Sequence, residues 1–288
     1  MFAPAFDYYR AKSVAEAGDL LRKNPGAKLL AGGHSLIPLL KLRLASPAAL
    51  IDIGRITELK GIAVKDGVVR IGALTTHAEI AASAVVRDNC PVLAEAALMI
   101  GDPAVRNRGT IGGNVAHADP ASDLPTVLTA LGARFAISSG GQSSTTDATS
   151  FFTGIMATTL GESDLLVAVE VPVKKSGQGA AYVKFSHPAS RYAVIGVAAV
   201  LTVSGGKCMA AAVALGGLTP HAVRAASVER ALTGQALSAD TIAKAAGQVN
   251  TDLGGDVLGD VFASAGYRAA VAPVWVKRAL TAAADRAK

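Results

Sequence analysis

Two glycine pairs stand where the backbone itself could do chemistry. Gly32-Gly33-His34-Ser35 follows a short apolar run, Lys28-Leu29-Leu30-Ala31, and leads into Leu36 and Ile37. Thr110-Ile111-Gly112-Gly113-Asn114 repeats the recipe later in the chain. A residue without a Cβ lets the chain approach an anion closely. Backbone N–H groups at a helix start supply positive dipole ends to hold it, and Ser35, Thr110 and Asn114 add side-chain donors. Two such loops could grip one pyrophosphate from two sides, although either alone is also what a plain turn looks like. Neither is the G-x-G-x-x-G of a dinucleotide fold, and there is no G-K-[ST] of a P-loop. Gly33-His34-Ser35-Leu36-Ile37 comes near the G-x-S-x-G nucleophile elbow of an α/β-type serine hydrolase. Ile37 in the fifth place crowds that turn, and the motif arrives before enough strands exist to build a hydrolase sheet. Nucleophilic Ser35 is thus the minor alternative.

The elements that must position these loops can be read from spacing. Ser13 and Glu16 have capping-box spacing for a helix over 14–23, closed by Asn24-Pro25-Gly26. Strands are expected over 28–31 and 49–53, with a short helix over 36–44 between them. Lys65-Asp66-Gly67 marks a hairpin joining 62–64 to 68–71. Thr76 and Glu79 form a second capping box, a helix covers 92–100, and residues 106–114 read as a loop. Asp123 is expected to cap a helix running to about 130. Further strands are expected at 135–138 and 165–171. Residues 172–179 look like a linker. Beyond it come three strands (181–185, 195–203, 209–215) and then helices over 223–232, 239–249 and 265–284. Strands first and helices after them indicate an α+β unit. The expected division is 1–56, 57–174 and 178–288.

Composition narrows the function. The chain has 288 residues with 51% hydrophobic content, enough for extensive burial without disulfide or metal staples. The 28 basic and 22 acidic residues leave a net charge of +6. No basic run interleaved with aromatics is present, which argues against nucleic acid as a partner. The two cysteines, Cys90 and Cys208, are too few for an iron–sulfur cluster or a cysteine-rich zinc site. They fit a reducing, cytoplasmic setting and are expected to be buried as small apolar groups. The most apolar stretch, 193–203, is about half the length of a membrane span, so a membrane-spanning chain is not expected. Of the five histidines, His34 sits in the first loop and His117 near the second, while His77, His187 and His221 are expected at the surface. Their spacing indicates no metal site.

The paired motifs Ala31-Gly32-Gly33-His34-Ser35-Leu36-Ile37-Pro38 and Thr110-Ile111-Gly112-Gly113-Asn114, with Ala121-Ser122-Asp123-Leu124-Pro125, resemble the FAD-binding medium subunit of molybdenum hydroxylases. Carbon monoxide dehydrogenase and xanthine dehydrogenase are familiar types of that family. Phe6-Asp7-Tyr8, Gly161-Glu162, and Tyr182-Val183-Lys184-Phe185 ahead of Arg191-Tyr192-Ala193 extend the likeness over nearly the whole chain. The resemblance implies an α+β protein: two N-terminal subdomains of the vanillyl-alcohol-oxidase (PCMH) type holding non-covalent FAD, and a C-terminal domain with a small antiparallel sheet and helices.

It also implies residue roles. Ala31, Gly32, Gly33, His34, Ser35 and Leu36, with Thr110, Ile111, Gly112, Gly113 and Asn114, would bind the FAD phosphates and ribityl region. Asp123 would accept hydrogen bonds from FAD hydroxyls, Glu162 would contact the cofactor, Lys184 would sit near the flavin or its phosphates, and Tyr192 near the isoalloxazine. No residue is assigned as a general acid or base. Molybdopterin and two 2Fe–2S clusters would belong to partners, a large molybdenum subunit and a small iron–sulfur subunit, in a heterotrimer open to dimerisation. Electrons would leave to quinone, NAD or oxygen, and attachment to the inner membrane face would come only through the complex. A flavin-free assembly subunit is the remaining alternative.

Overall fold

The computed structural model describes residues 2–287. Three larger sheets organise it, beside a two-stranded one of Phe152–Gly154 and Ala157–Thr158, and each of the three is set by the pattern of its strands. The first is parallel. Ala49–Asp52 lies between Asp7–Arg10 and Lys28–Leu30, with Arg10 and Leu30 both in register with Asp52. Strand Asp7–Arg10 has polar ends that hide it from sequence patterning; its Tyr8 hydroxyl donates to Asp52. The helices Val14–Lys23 and Leu36–Lys41 make the two crossovers such a parallel sheet requires. Ser13 caps the first by accepting from the Glu16 N–H, whereas Glu16 accepts from Lys12 N–H, so the box is shifted by one residue.

The second sheet is antiparallel, in the order Ile62–Lys65, Val68–Gly72, Leu165–Pro172, Arg134–Ser139, Gln142–Asp147. The hairpin at Asp66-Gly67 forms as its turn residues demand, both with positive φ. Gln142–Asp147 is not visible in the sequence because it is an exposed edge of Ser and Thr with no apolar face. Against this sheet pack Pro91–Met99 and Asp123–Ala130, and a three-ring cluster of Phe135, Phe151 and Phe152 closes one end of the core.

The third sheet runs Gln178–Ser186, Ala193–Ser204, Lys207–Gly216, Val223–Arg224, all antiparallel. Its central strand is the most apolar run of the chain, and the reason for that texture is burial on both faces. Ala198 and Val200 point into the core shared with Pro91–Met99 and Asp123–Ala130, together with Tyr182 and Ala214. Val197, Ala199 and Leu201 face Ala226–Leu232, Ala239–Ala246 and the long helix Ala265–Arg286. At Gly179 that helix crosses so closely that a Cβ would stand 2.1 Å from the Ala283 carbonyl oxygen. The linker expected over 172–179 is therefore shorter, since Gly179 is already inside a strand. Arg286 ties the same helix to Glu95 at 2.8 Å. Residues 223–224 form a strand rather than the start of a helix, so the helix there begins at Ala226.

Both cysteines are buried and unbridged, and burial pushes the Cys90 thiol up to about 12. Neither behaves as a reactive thiolate. Among the described residues no helix is long and apolar enough to cross a membrane.

Candidate functional site

A cavity of about 790 Å³ lies between the first two sheets and reaches the loop 190–192 that joins two strands of the third. That is the size range of cofactor and ligand pockets. Both glycine motifs line it, and they are built differently. The first loop turns off strand Lys28–Leu30 and enters helix Leu36–Lys41, with Gly33 at φ +78°. Among the described residues the backbone N–H groups of Gly33, His34 and Ser35 have no protein acceptor, so they remain available to an anion. Ser35 makes no side-chain capping bond, and among the described residues no histidine is hydrogen-bonded to it, so nothing supports the hydrolase reading. His34 Nε2 lies 3.2 Å from the Ala104 carbonyl. A carbonyl only accepts, so Nε2 carries the proton there.

The second motif is not a loop. Thr110 caps a helix, Ile111–His117, and the glycines occupy its first turn. Its N–H groups are already engaged: Ile111 with Thr75 O, Gly112 with Ala73 O, Gly113 with Thr110 Oγ1. The expected second cradle of free amides is thus absent, because this segment uses its donors to dock on residues 73–75, just past strand Val68–Gly72, and to cap its own first turn. What it presents instead is the side chains of Thr110 and Asn114. Asn114 Nδ2 donates to Ser122 Oγ at 2.6 Å, while its Oδ1 is buried without a protein partner. A buried acceptor in a cavity wall calls for a donor, and a ligand can supply it.

The glycines also answer to a different cause from the one expected. A Cβ on Gly32 would sit 2.0 Å from the Arg108 carbonyl oxygen, and one on Gly112 would sit 2.5 Å from the Ala73 Cβ. These two residues are small because the protein itself, not a ligand, passes close by. Gly32 lets the first loop close on the segment leading into the second motif, and Gly112 lets the second motif dock on Ala73.

Asp123 is the first residue of its helix, after Ser122 at the cap, and its carboxylate does not cap it. Instead Tyr182 Oη donates to Oδ1 at 2.6 Å and Lys184 Nζ to Oδ2 at 2.8 Å. The side chains of Lys184 and Asp123 are 2% and 5% exposed, so this is a buried ion pair. Asp123 lines the cavity. Lys184 stands behind it, donating also to the Met99 carbonyl, rather than on the cavity wall where a cofactor contact was expected. Ile111 is likewise fully buried behind the wall. Ala31, Leu36, Glu162 and Tyr192 do line it. Tyr192 remains 43% exposed, at the mouth, where Arg191 and Met156 hold left-handed backbone.

Residues that the spacing does not single out complete the site. Tyr182 belongs to a motif of the resemblance but is given no role by it; its place two residues before Lys184 puts both on one face. His77, expected at the surface, is 3% exposed. The Thr76–Glu79 capping box forms in full and turns the first helical residue under Gly109, whose carbonyl accepts from His77 N–H. Burial, reinforced by the Arg106 charge and His34, lowers the His77 pKa to about 4. The unfolded chain would protonate this histidine below about 6.5 while the folded chain keeps it neutral. Stability is therefore unaffected above pH 6.5 and falls between 6.5 and about 4, by roughly 3 kcal/mol in all. Urea unfolding at pH 7 and pH 5 should show this loss, and His77→Gln should flatten it. Equal acid loss in both proteins would mean that another group is responsible.

Known proteins share this architecture. Residues 4–174 match the family model described as the FAD binding domain in molybdopterin dehydrogenase, and residues 180–283 match the CO dehydrogenase flavoprotein C-terminal domain. The chain is 41% identical over 286 residues to the carbon monoxide dehydrogenase medium chain of Hydrogenophaga pseudoflava, covering 98% of each. It is 39% identical over 290 residues to the 6-hydroxypseudooxynicotine dehydrogenase complex subunit alpha of Paenarthrobacter nicotinovorans, covering 100% of this chain and 97% of that one. Among solved structures, a carbon monoxide dehydrogenase from Hydrogenophaga pseudoflava lacking the Mo-pyranopterin moiety of its cofactor superposes with a TM-score of 0.96 at 42% identity, covering 99% of each chain.

Proposed function

Because the chain belongs to the FAD-binding medium-subunit family of molybdopterin dehydrogenases, we propose that it is the flavin subunit of a heterotrimeric molybdenum hydroxylase. It is an oxidoreductase component with FAD as its cofactor. In the proposed complex a small subunit with 2Fe–2S clusters delivers electrons, a large subunit carries the molybdopterin, and an external acceptor (quinone, NAD or oxygen) takes the electrons away. The observation that carries this reading is the cavity itself. Its lining brings together unpaired backbone N–H groups at residues 33–35, the unpartnered Asn114 Oδ1 and the Asp123 carboxylate. A molecule with an anionic middle and hydroxyl donors beside it satisfies all three.

Bound FAD supplies the capacity to accept electrons singly and release them as a pair. The chain's own residues bind and orient it. The open amides of Gly33, His34 and Ser35, with the Ser35 hydroxyl, would hold the pyrophosphate. Thr110, Asn114 and Asp123 would bond the ribityl and ribose hydroxyls, with Ala31, Leu36 and Glu162 shaping the wall and Ile111 backing it. Tyr192 would cover the ring at the mouth. Gly32 allows the first loop to meet the segment before Thr110, and Gly112 and Gly113 form the tight first turn that docks on Ala73. The domain division that goes with this role is 1–56 and 57–174 clasping the cofactor and 178–288 closing one side. The reducing substrate belongs to the partner chain; two relatives of nearly equal identity carry names with different substrates, so overall similarity does not select one.

The test is purification with the partner subunits. The complex should show flavin absorbance, and denaturation should release free FAD. A colourless complex would overturn the proposal and favour an assembly role. Flavin that stays with the denatured polypeptide would overturn non-covalent binding.

A further inference from the structure

The third sheet contributes to the cavity wall without lining it. Tyr182 and Lys184 are alternate residues of strand Gln178–Ser186 and meet the two oxygens of Asp123 one each. Room for this is made on the neighbouring strand. A Cβ at Gly196 would stand 2.6 Å from the Tyr182 hydroxyl oxygen, so only glycine there lets the phenol extend to the carboxylate. A carboxylate has about four acceptor sites. Tyr182 and Lys184 occupy two, which leaves acceptor capacity on a residue that lines the cavity.

We propose that Tyr182 is a positioning residue for the cofactor: with Lys184 it fixes Asp123 as a pure hydrogen-bond acceptor, so that the C-terminal sheet sets FAD affinity and flavin potential. The inference rests on the reading of this cavity as the FAD site. Its logic is one of donors and acceptors. Both protein groups donate to Asp123, so a ligand atom that bonds to it must donate as well: a hydroxyl or a ring N–H. Protonation of Asp123 would place a hydrogen where that donor must come and break the match.

The charged and titratable groups facing Asp123 are Lys184 and Tyr182 from the strand and Arg191 and Tyr192 from the loop after it. Burial favours the protonated acid, and Lys184, Tyr182 and Arg191 oppose it. Removing the phenol hydroxyl therefore raises the pH at which the carboxylate stops accepting.

The experiment uses the assembled complex, stripped of FAD and refilled. FAD affinity is measured by fluorescence from pH 5 to 8, and the flavin midpoint potential by equilibration with redox dyes. Tyr182→Phe keeps the ring that fills the core. It is expected to weaken FAD about tenfold, because the Asp123 carboxylate that accepts from the cofactor is no longer held in place, and tenfold corresponds to about 1.4 kcal/mol of the bond that Asp123 makes to the ligand. Its acid-side loss of affinity should begin at higher pH, and the potential should shift. Loss of packing alone would lower thermal stability and leave the pH profile and potential where they were. Site-specific 3-fluorotyrosine at 182 provides the second arm. It is nearly isosteric and a stronger donor, so the acid limb should move the other way. The proposal is overturned if Tyr182→Phe binds FAD within twofold of the parent with an unchanged acid limb and potential, or if fluorotyrosine moves the limb in the same direction as phenylalanine. Failure of the unaltered complex to rebind FAD at all would instead overturn the assignment of the cavity.

Discussion

Gly32→Ala should empty the cavity of FAD and lower stability by at least about 2 kcal/mol, at the middle of the range for overpacked interiors. The added methyl would lie 2.0 Å from the Arg108 carbonyl oxygen and 2.8 Å from its carbon. Both belong to backbone, so neither can rotate away. Relief requires the loop before helix Leu36–Lys41 to separate from the segment leading into Thr110, and these two segments carry the two halves of the site. Thermal unfolding and flavin content of the purified complex check this. Gly26→Ala provides the contrast. Gly26 has positive φ, but a Cβ there meets nothing within 4 Å, so it should show only the modest strain of a left-handed alanine. A Gly32→Ala protein with full flavin and unchanged stability would sink the idea that closure of the two loops is why glycine stands there.

Asp123→Ala should be the other large effect, by a different route. It leaves the Lys184 ammonium, 2% exposed, with only the Met99 carbonyl, and leaves the Tyr182 hydroxyl without its acceptor. Breaking a buried pair from one side costs about 3–5 kcal/mol, a large fraction of a domain's total. Replacing both partners by apolar residues of similar volume, Asp123→Leu with Lys184→Met, should recover most of that stability because no uncompensated charge remains. FAD binding should not recover with it, since the acceptor on the cavity wall is gone. Chemical unfolding of the three proteins together with FAD titration separates the two contributions. Recovery of FAD affinity in the double variant would show that Asp123 serves only the fold.

Much of this is legible from residues. The capping spacing Thr76–Glu79, the turn residues Asp66-Gly67 and the helix start at Val14 are local signals, and their elements form where the spacing puts them. The glycine motifs likewise point to the cavity they line. Other features are hidden because their causes lie far away in sequence. An edge strand of Ser and Thr has no apolar periodicity to betray it. His77 is adjacent to a capping residue on a helix start, a surface signature by itself, and only the approach of Gly109 buries it. Asp123 is spaced as a helix cap, yet its carboxylate turns to two donors some sixty residues further on.

The sequence by itself determined most of the helices, the apolar strands and the tight turns, and which residue types gather at the two motifs. Those depend on caps, periodicity and conformational freedom, all of which act within a few residues. The tertiary structure alone decided what each polar group in the loops is free to do. It left the amides of residues 33–35 open and engaged those of residues 111–113. It placed Lys184 behind Asp123 rather than beside a ligand. The reason is that a hydrogen bond is satisfied by whatever partner lies within about 3 Å, and which partner that is depends on how three sheets pack, not on the order of neighbours along the chain.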